Sequence, residues 1–214
     1  MINSGWGDRG AGRGEWRDRP AIATAGNPGD GRVPGLAEWP LVSSVYLITG
    51  IMAAGKSTVA QALAERLPKA AHVRGDTFRK AIVSGRVDPV PGDAEGMRQL
   101  RLRYRIAAGA ADEYAAAGFT AVVQDVVIGP VLAEYVELVR TRPLHVVVLA
   151  PAPDTVAERE AGRGKTGYGA WTVDDLDTSL RTETPRVGLW LDTSELTPEQ
   201  TVDAILARRD EAAV

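Results

Sequence analysis

From residue 42 onward, short apolar runs alternate with longer segments in which apolar residues recur at helical spacing. The runs are rich in β-branched residues and almost continuously apolar, which is typical of parallel strands buried on both faces. They lie at 45–49, 71–74, 119–124, 144–149 and 187–191. The segments between them predict helices at 55–67, 77–84, 95–117, 130–141, 153–162, 173–183 and 197–209. This alternation predicts a doubly wound α/β fold with a parallel sheet.

The first 41 residues lack this pattern. They are dense in Gly, Arg, Asp and Pro and show no apolar period. Such a composition buries too little apolar surface to offset the entropy lost on ordering. We therefore predict a flexible tail at 1–41 and a single folded domain at 42–214.

The composition of the 214 residues is that of a globular protein, with 44% hydrophobic and 25% charged residues. The sequence contains no run of 18 apolar residues, so no membrane span is predicted. The N-terminal residues also lack the apolar stretch of a secretory signal. The absence of cysteine excludes disulfides and a cysteine nucleophile, and two histidines exclude a histidine-rich metal site. We expect a cytoplasmic protein that does not bind membranes. The net charge of −3 disfavours binding to long nucleic acid.

A phosphate-binding loop is the strongest motif in the chain. The sequence G-x-x-x-x-G-K-S follows the apolar run 45–49 directly, and an amphipathic helix is predicted from its lysine. The glycines let backbone N–H groups turn toward phosphate oxygens, the lysine reaches the β- and γ-phosphates, and the serine hydroxyl ligates Mg²⁺. The predicted nucleotide-binding residues are Gly50, Ile51, Met52, Ala53, Ala54, Gly55, Lys56, Ser57 and Thr58.

Two aspartates follow predicted strands next to this loop. Asp76 follows the second strand, where ligands bind in open α/β sheets, so it is a candidate base for a substrate hydroxyl, or else only the cap of the next helix. Arg79 would share a helix face with Asp76 and hold an anionic group or the transferring phosphoryl. Asp125 ends the third strand and is either a magnesium-binding carboxylate or a turn residue.

Further cations precede and follow the fourth strand. Arg159 and Arg163 are four residues apart and are followed by glycines, which predicts a mobile lid over the phosphates or a solvated basic turn. Trp171 follows this segment and either covers a ring or packs in the core. A predicted helix carries three arginines, Arg98, Arg101 and Arg105, which form either an anionic-acceptor groove or a solvated face. The two histidines, His72 and His145, lie in strand runs and are predicted to be core or strand-end residues.

Together these motifs resemble the small P-loop kinases that phosphorylate a hydroxyl group. That group includes chloramphenicol 3-O-phosphotransferase, the kinase domain of polynucleotide kinase and the zeta toxins. The resemblance covers residues 42–214 and implies a three-layer P-loop NTPase fold with a lid, in which five parallel strands run in the order 2-3-1-4-5, as in adenylate kinase relatives. Asp76-Thr77-Phe78-Arg79 looks like the family's Asp-x-Tyr/Phe-Arg, in which the Asp is the base and the Arg contacts acceptor or phosphate. Arg159 and Arg163 are similar to lid arginines that stabilise the transferring phosphoryl.

These observations predict a kinase that uses ATP and Mg²⁺ and transfers the γ-phosphoryl to a hydroxyl of a small molecule, an antibiotic or a metabolite. Ser57 and Asp125 would hold the metal, and Asp76, Lys56, Arg79, Arg159 and Arg163 would act in catalysis. Two enzymatic alternatives are a polynucleotide 5′-hydroxyl kinase and a zeta-toxin-like nucleotide-sugar kinase. An alternative of another class is a regulatory ATPase without an acceptor.

Overall fold

A computed structural model describes residues 43–90, 92–162 and 171–214. The five predicted strands are confirmed, with small changes at their ends: β1 is Val45–Thr49, β2 Ala70–Arg74, β3 Thr120–Gln124, β4 Leu144–Leu149 and β5 Leu189–Leu191. The predicted tail at 1–41 lies outside the described residues, so the division into tail and domain stays a prediction.

The strands form one parallel sheet in the order β2-β3-β1-β4-β5, which confirms the predicted order. β1 lies at the centre, with Leu47 beside Val123 of β3 and Val146 of β4. Every residue of β1 and β4 is buried, as expected for strands covered on both faces. Because all strands run in the same direction, the residues that follow β1, β2 and β3 come together at one edge of the sheet.

Eight α-helices connect and flank the strands in the described part of the chain. They are α1 Lys56–Arg66, α2 Gly75–Lys80, α3 Ala94–Ala116, α4 Val131–Leu138, α5 Pro153–Ala161, α6 Val173–Thr178, α7 Pro198–Ala207 and α8 Arg209–Ala212. α1 packs beside α7, α3 packs beside α4, and helices cover both faces of the sheet. No helix among the described residues is long and apolar enough to cross a membrane.

Several helix ends are fixed by side chains. Thr172 and Thr197 begin α6 and α7 with capping boxes, and Asp93 caps α3 by accepting from two backbone N–H groups. α4 ends at Leu138, three residues earlier than predicted, because the backbone N–H groups of Arg140 and Thr141 donate to buried Asp112. Past α6, residues 179–183 continue the predicted helix in a wider π-helical turn.

Candidate active site

The phosphate-binding loop lies between β1 and α1, as predicted. Gly50 has a φ of +140° and Gly55 a φ of +91°, both in the region that side chains disfavour. A Cβ at Gly50 would also lie 2.4 Å from the backbone oxygen of Leu149 at the end of β4. Gly55 precedes the first turn of α1, and its carbonyl accepts from Thr58 N and Val59 N. Both glycines of the motif are therefore required by the geometry of the loop.

Lys56 begins α1 and is folded over the loop. Its Nζ donates to the carbonyl of Ile51 at 2.6 Å, and only 6% of the residue is exposed. Ser57 and Thr58, in the same turn, are exposed. A nucleotide phosphate would therefore meet two hydroxyls and the N-terminal N–H groups of an eleven-residue helix.

Asp125 follows β3 and is buried beside the loop. Its Oδ1 lies 2.8 Å from Arg103 Nη2 and accepts from the backbone N–H of Val126 at 2.7 Å. Its Oδ2 is buried and has no hydrogen-bond partner among the described residues. Burial raises the pKa of the Asp125 carboxyl and Asp76 adds to the rise, while Arg103, the Val126 amide and Lys56 act in the opposite direction. The Asp125 carboxylate therefore interacts electrostatically with both Lys56 and Asp76.

The segment that carries Asp125 is attached to the central strand. The hydroxyl of Thr49, the last residue of β1, donates to Val127 O at 2.8 Å and accepts from Val127 N–H at 2.9 Å. Both residues are completely buried. Tyr104 of α3 adds a hydrogen bond of 2.6 Å to Val126 O. The position of Asp125 is therefore held from two elements.

Asp76 lies in the first turn of α2, next to Asp125. The interpretation of Asp76 as a helix cap is wrong, because α2 starts at Gly75, earlier than predicted, and Arg74 is the capping residue. The Asp76 carboxylate instead pairs with Arg79 Nε at 2.9 Å and Lys80 Nζ at 2.7 Å. Burial raises its pKa, but the hydrogen bonds and charges of Lys80 and Arg79 outweigh that effect and hold the pKa below its usual value. With 46% of the side chain exposed, the ionised carboxylate is open to a ligand.

Gly75 allows Asp76 and Asp125 to be neighbours. A Cβ at Gly75 would lie 1.9 Å from Asp125 Oδ2, far inside any tolerable contact. The glycine is needed here for close approach rather than for an unusual backbone conformation. It brings the start of α2 directly against the Oδ2 atom of Asp125.

Arg79 is shared by two carboxylates. Besides its contact with Asp76, it donates through Nη1 to Asp88 in the loop between α2 and α3. The guanidinium lies beside Asp76, as predicted, and an anionic ligand would have to compete with Asp88 for it. Its role toward an acceptor or phosphate stays a prediction.

The residues present fit a magnesium ion that is also held by nucleotide phosphates. Mg²⁺ prefers oxygen ligands and is usually bound by one or two protein groups together with phosphates and water. Asp125 offers a buried oxygen without a hydrogen-bond partner in the described structure, and Ser57 offers an exposed hydroxyl at the phosphate-binding loop. Among the described residues, this site included, no group of three His, Cys, Asp or Glu is placed to hold a metal ion by itself.

The predicted lid is only partly described. α5 ends at Ala161, and Arg163 lies outside the described residues. Arg159 donates through Nη2 to the carbonyls of Thr193 and Ser194, at 2.9 and 3.3 Å, in the loop after β5. These contacts fasten α5 to that loop, and a role of Arg159 at the transferring phosphoryl stays a prediction. Trp171 is half-buried and donates to the carbonyl of Pro89 at 3.1 Å.

The arginines predicted to line a groove are paired with surface carboxylates. Arg98 donates to Glu95 on its own helix, and Arg101 donates to Glu134 of α4 at 3.1 and 3.2 Å. Arg105 is exposed. These pairs favour the solvated-face interpretation over an acceptor groove.

The two histidines occupy the places expected of strand residues. His145 is buried and stacks on Tyr46 with 4.4 Å between ring centroids. His72 of β2 is half-buried, and its Nδ1 lies 2.8 Å from Gln61 Oε1. Burial, assisted by the charge of Arg74, lowers the pKa of His72 to about 4.

Sequence reasoning missed Arg103 and Asp88. Arg103 had a detectable signal, because it lies four residues before Ala107 and eight before Ala111, on the buried face of α3. A charged residue at such a position needs a buried partner. Asp88 is an exposed loop residue whose contact with Arg79 depends on the path of the loop, and nothing in the local sequence indicates it.

The fold is shared with several solved proteins, kinases among them. A sugar kinase from Janibacter sp. HTCC2649 is 19% identical, with a TM-score of 0.61 over 79% of this chain and 96% of that chain. The tunicamycin resistance protein of Deinococcus radiodurans is 22% identical, with a TM-score of 0.58 over 77% and 94%. The APS kinase of Mycobacterium tuberculosis, solved with AMPPNP and APS, is 17% identical, with a TM-score of 0.58 over 80% and 99%. At these identities the likeness shows the fold.

Among curated proteins, none matches the sequence. A family model described as an AAA domain matches residues 45–182, which is more than half of the chain. The matched stretch begins at β1 and includes Lys56, Asp76 and Asp125. The chain belongs to the AAA_33 family of AAA domains.

Proposed function

We propose that the protein is an ATP-dependent phosphotransferase that moves the γ-phosphoryl group to a hydroxyl of a small molecule. The observation that carries this proposal is the position of Asp76. It presents a half-exposed, ionised carboxylate beside Asp125, at the edge of the sheet that also holds the phosphate-binding loop. A kinase acting on a hydroxyl uses such a carboxylate to take the acceptor proton, whereas an ATPase uses the corresponding group to position a water molecule.

In this mechanism the loop 50–58 binds the nucleotide, and Lys56 contacts the β- and γ-phosphates. Ser57 and Asp125 would hold Mg²⁺, which would neutralise charge that develops on the phosphates. Asp76 accepts the proton of the acceptor hydroxyl as its oxygen forms a bond to the γ-phosphorus. The bond from the γ-phosphorus to the bridging oxygen breaks, and ADP leaves with the electron pair of that bond.

The arginines have supporting roles in this proposal. Arg79 and Lys80 pair with the Asp76 carboxylate and orient it. Arg163 is assigned to the transferring phosphoryl, as the family resemblance implies. The resemblance assigns Arg159 to the transferring phosphoryl as well. Its contacts with Thr193 and Ser194 support a second, structural role, in which it holds the loop after β5.

A small acceptor fits the described surface better than a polynucleotide. A 5′-hydroxyl kinase needs cations that are free to follow a phosphate backbone. Arg98 and Arg101 are instead paired with Glu95 and Glu134. The solved structures named for sugar, APS and tunicamycin resistance support a small hydroxyl-bearing acceptor, and we propose an antibiotic or a metabolite.

The proposal is tested by measuring ADP release from ATP and Mg²⁺, alone and with a panel of hydroxyl-bearing antibiotics, sugars, nucleotide sugars and a 5′-hydroxyl oligonucleotide. We expect one small-molecule class to stimulate ADP release, with mass spectrometry showing a phosphorylated product. A rate of ADP release that no acceptor changes and that only a protein partner increases would favour the regulatory ATPase. Phosphorylation of the oligonucleotide would favour a polynucleotide kinase, and phosphorylation of a nucleotide sugar would favour a zeta-toxin-like kinase.

Two lysine variants connect this activity to the site. Lys56→Ala should abolish ATP binding, because the lysine ammonium balances the negative charge of the nucleotide phosphates. We expect the fold to stay intact. Lys69→Ala changes an exposed lysine near Phe119, away from the loop, and should keep wild-type ATP affinity. Calorimetric titration with ATP and Mg²⁺ checks both, and an unchanged affinity in Lys56→Ala would contradict the assignment of the loop.

A further inference from the structure

Arg103 is a buried cation whose placement the proposed mechanism does not yet explain. It projects from α3, only 12% of its side chain is exposed, and its partner Asp125 is 4% exposed. Its Nε is buried without a hydrogen-bond partner among the described residues. Burying a guanidinium is unfavourable unless it is paired well, and an apolar residue at this position would avoid the cost. The geometry of the contact suggests why a cation stands here.

The two oxygens of Asp125 have different surroundings. Oδ1 lies 2.8 Å from Arg103 Nη2, in an ion pair, and accepts a hydrogen bond from the Val126 N–H. Oδ2 has no partner in the described part of the chain and faces Gly75, the residue before Asp76. A carboxylate held through one oxygen cannot rotate freely, so the direction of the other oxygen is fixed.

We propose that Arg103 is a positioning residue for Asp125. By occupying Oδ1, the guanidinium keeps Oδ2 turned toward the start of α2 and available to Mg²⁺ or to a water molecule bound to it. This inference rests on the proposed function, in which Asp125 serves the metal. Groups that orient a metal ligand in this way typically change metal affinity on the order of 10–100-fold when they are replaced.

A purely structural role makes a different prediction. If Arg103 only neutralises Asp125 and fills space, its replacement would lower stability without changing how strongly Mg²⁺ promotes ATP binding. Arg103→Lys separates the two roles, because lysine keeps the charge but lacks the rigid, planar guanidinium that holds Nη2 beside Oδ1. Arg101→Lys is the matched control, since Arg101 lies on the same helix and pairs with exposed Glu134.

The test measures the affinity of a fluorescent ATP analogue with and without Mg²⁺, which needs no acceptor and no turnover. We expect Arg103→Lys to lose at least about tenfold of the enhancement that Mg²⁺ gives in the wild type. Its metal-free affinity should be unchanged, and Arg101→Lys should match the wild type in both measurements. In an Asp125→Asn background, Arg103→Lys should cause no further loss, because the oxygen it positions is gone.

The outcomes separate this inference from the proposed function. A wild type with Mg²⁺-dependent affinity and an Arg103→Lys variant with the full enhancement would overturn the positioning role alone. If the wild type binds ATP with the same affinity with and without Mg²⁺, the metal part of the proposed function is overturned, and the inference with it. Thermal unfolding of each variant shows that it is folded. If Arg103→Lys does not fold, Arg103→Met takes its place in the same measurement. A folded Arg103→Met that has lost at least about tenfold of the Mg²⁺ enhancement would support the positioning role, and one that keeps the full enhancement would overturn it.

Discussion

Replacing Gly75 by alanine should destabilise the protein, although alanine is normally the better helix residue. An alanine in a helix interior is favoured over glycine by about 0.8–1.0 kcal/mol. At Gly75, however, the new Cβ would lie 1.9 Å from Asp125 Oδ2 and 2.4 Å from its Cγ. One of the two groups must move by more than an ångström, and such overpacking costs about 1–3 kcal/mol.

Asp125 cannot yield without a further loss. Moving the carboxylate strains its contacts with Arg103 and the Val126 N–H, and breaking a buried ion pair costs about 3–5 kcal/mol when one charge is left uncompensated. We therefore expect Gly75→Ala to lower the free energy of unfolding by about 2 kcal/mol or more. For a domain of this size that corresponds to a fall in Tm of about 4–8 °C.

Gly109→Ala is the matched control. Gly109 lies in the middle of α3, and a Cβ built there meets no atom within 4 Å. The helix propensity should act alone, so we expect Tm to rise by about 2–4 °C. Differential scanning fluorimetry of the two variants and the wild type measures the contrast. A Gly75→Ala protein with a Tm at or above the wild type would refute the reasoning on the contact with Asp125.

Two further variants test the groups around this contact. Asp76→Asn should lower acceptor-dependent phosphoryl transfer by about 10²-fold or more, because an amide cannot take the proton. It should change the free energy of unfolding by about 1 kcal/mol at most, since the ion pairs of Asp76 with Arg79 and Lys80 are partly exposed to solvent. His72→Gln should lose less stability than the wild type in urea unfolding when the pH falls from 7 to 5. The pKa of folded His72 is lowered to about 4, so the unfolded chain, with a pKa of about 6.5, binds the proton first and acid favours unfolding.

Each of these has a clear contradicting result. Asp88→Asn removes the other partner of Arg79 and is the control for Asp76→Asn, so a similar loss of rate in both variants would point to Arg79 rather than to a base. A rate of Asp76→Asn close to that of the wild type would remove Asp76 from the chemistry. For His72, an equal loss of stability in the variant and the wild type would mean that other groups control the acid response.

The order of elements could be predicted because their patterns are local and strong. Apolar β-branched runs marked all five strands, and the loop 50–58 marked the edge of the sheet where ligands bind. The helix ends were less predictable where distant side chains decide them. α4 ends early because the backbone N–H groups of Arg140 and Thr141 donate hydrogen bonds to Asp112. Asp112 lies nineteen residues before the first residue of α4. No local rule contains that contact.

The candidate site was predictable by residue type but not by partner. The positions of Lys56, Asp76 and Asp125 after their strands followed from the fold. That Arg79 divides its guanidinium between Asp76 and Asp88 depends on the path of a loop. Arg103 is one of several arginines on α3, and only its register with the buried alanines distinguishes it from its solvated neighbours.

The double hydrogen bond between Thr49 and Val127 has a consequence for local unfolding. Val127 lies outside every strand, in a connection where amide protons would ordinarily exchange quickly with solvent. Its N–H is nevertheless buried and bound to the hydroxyl of Thr49 on the central strand, so we expect it to exchange as slowly as the amides of the core. The connection that carries Asp125 should then show the protection of the core rather than of a loop. A carboxylate on such a segment keeps its place before any ligand arrives, and binding need not spend free energy on ordering it.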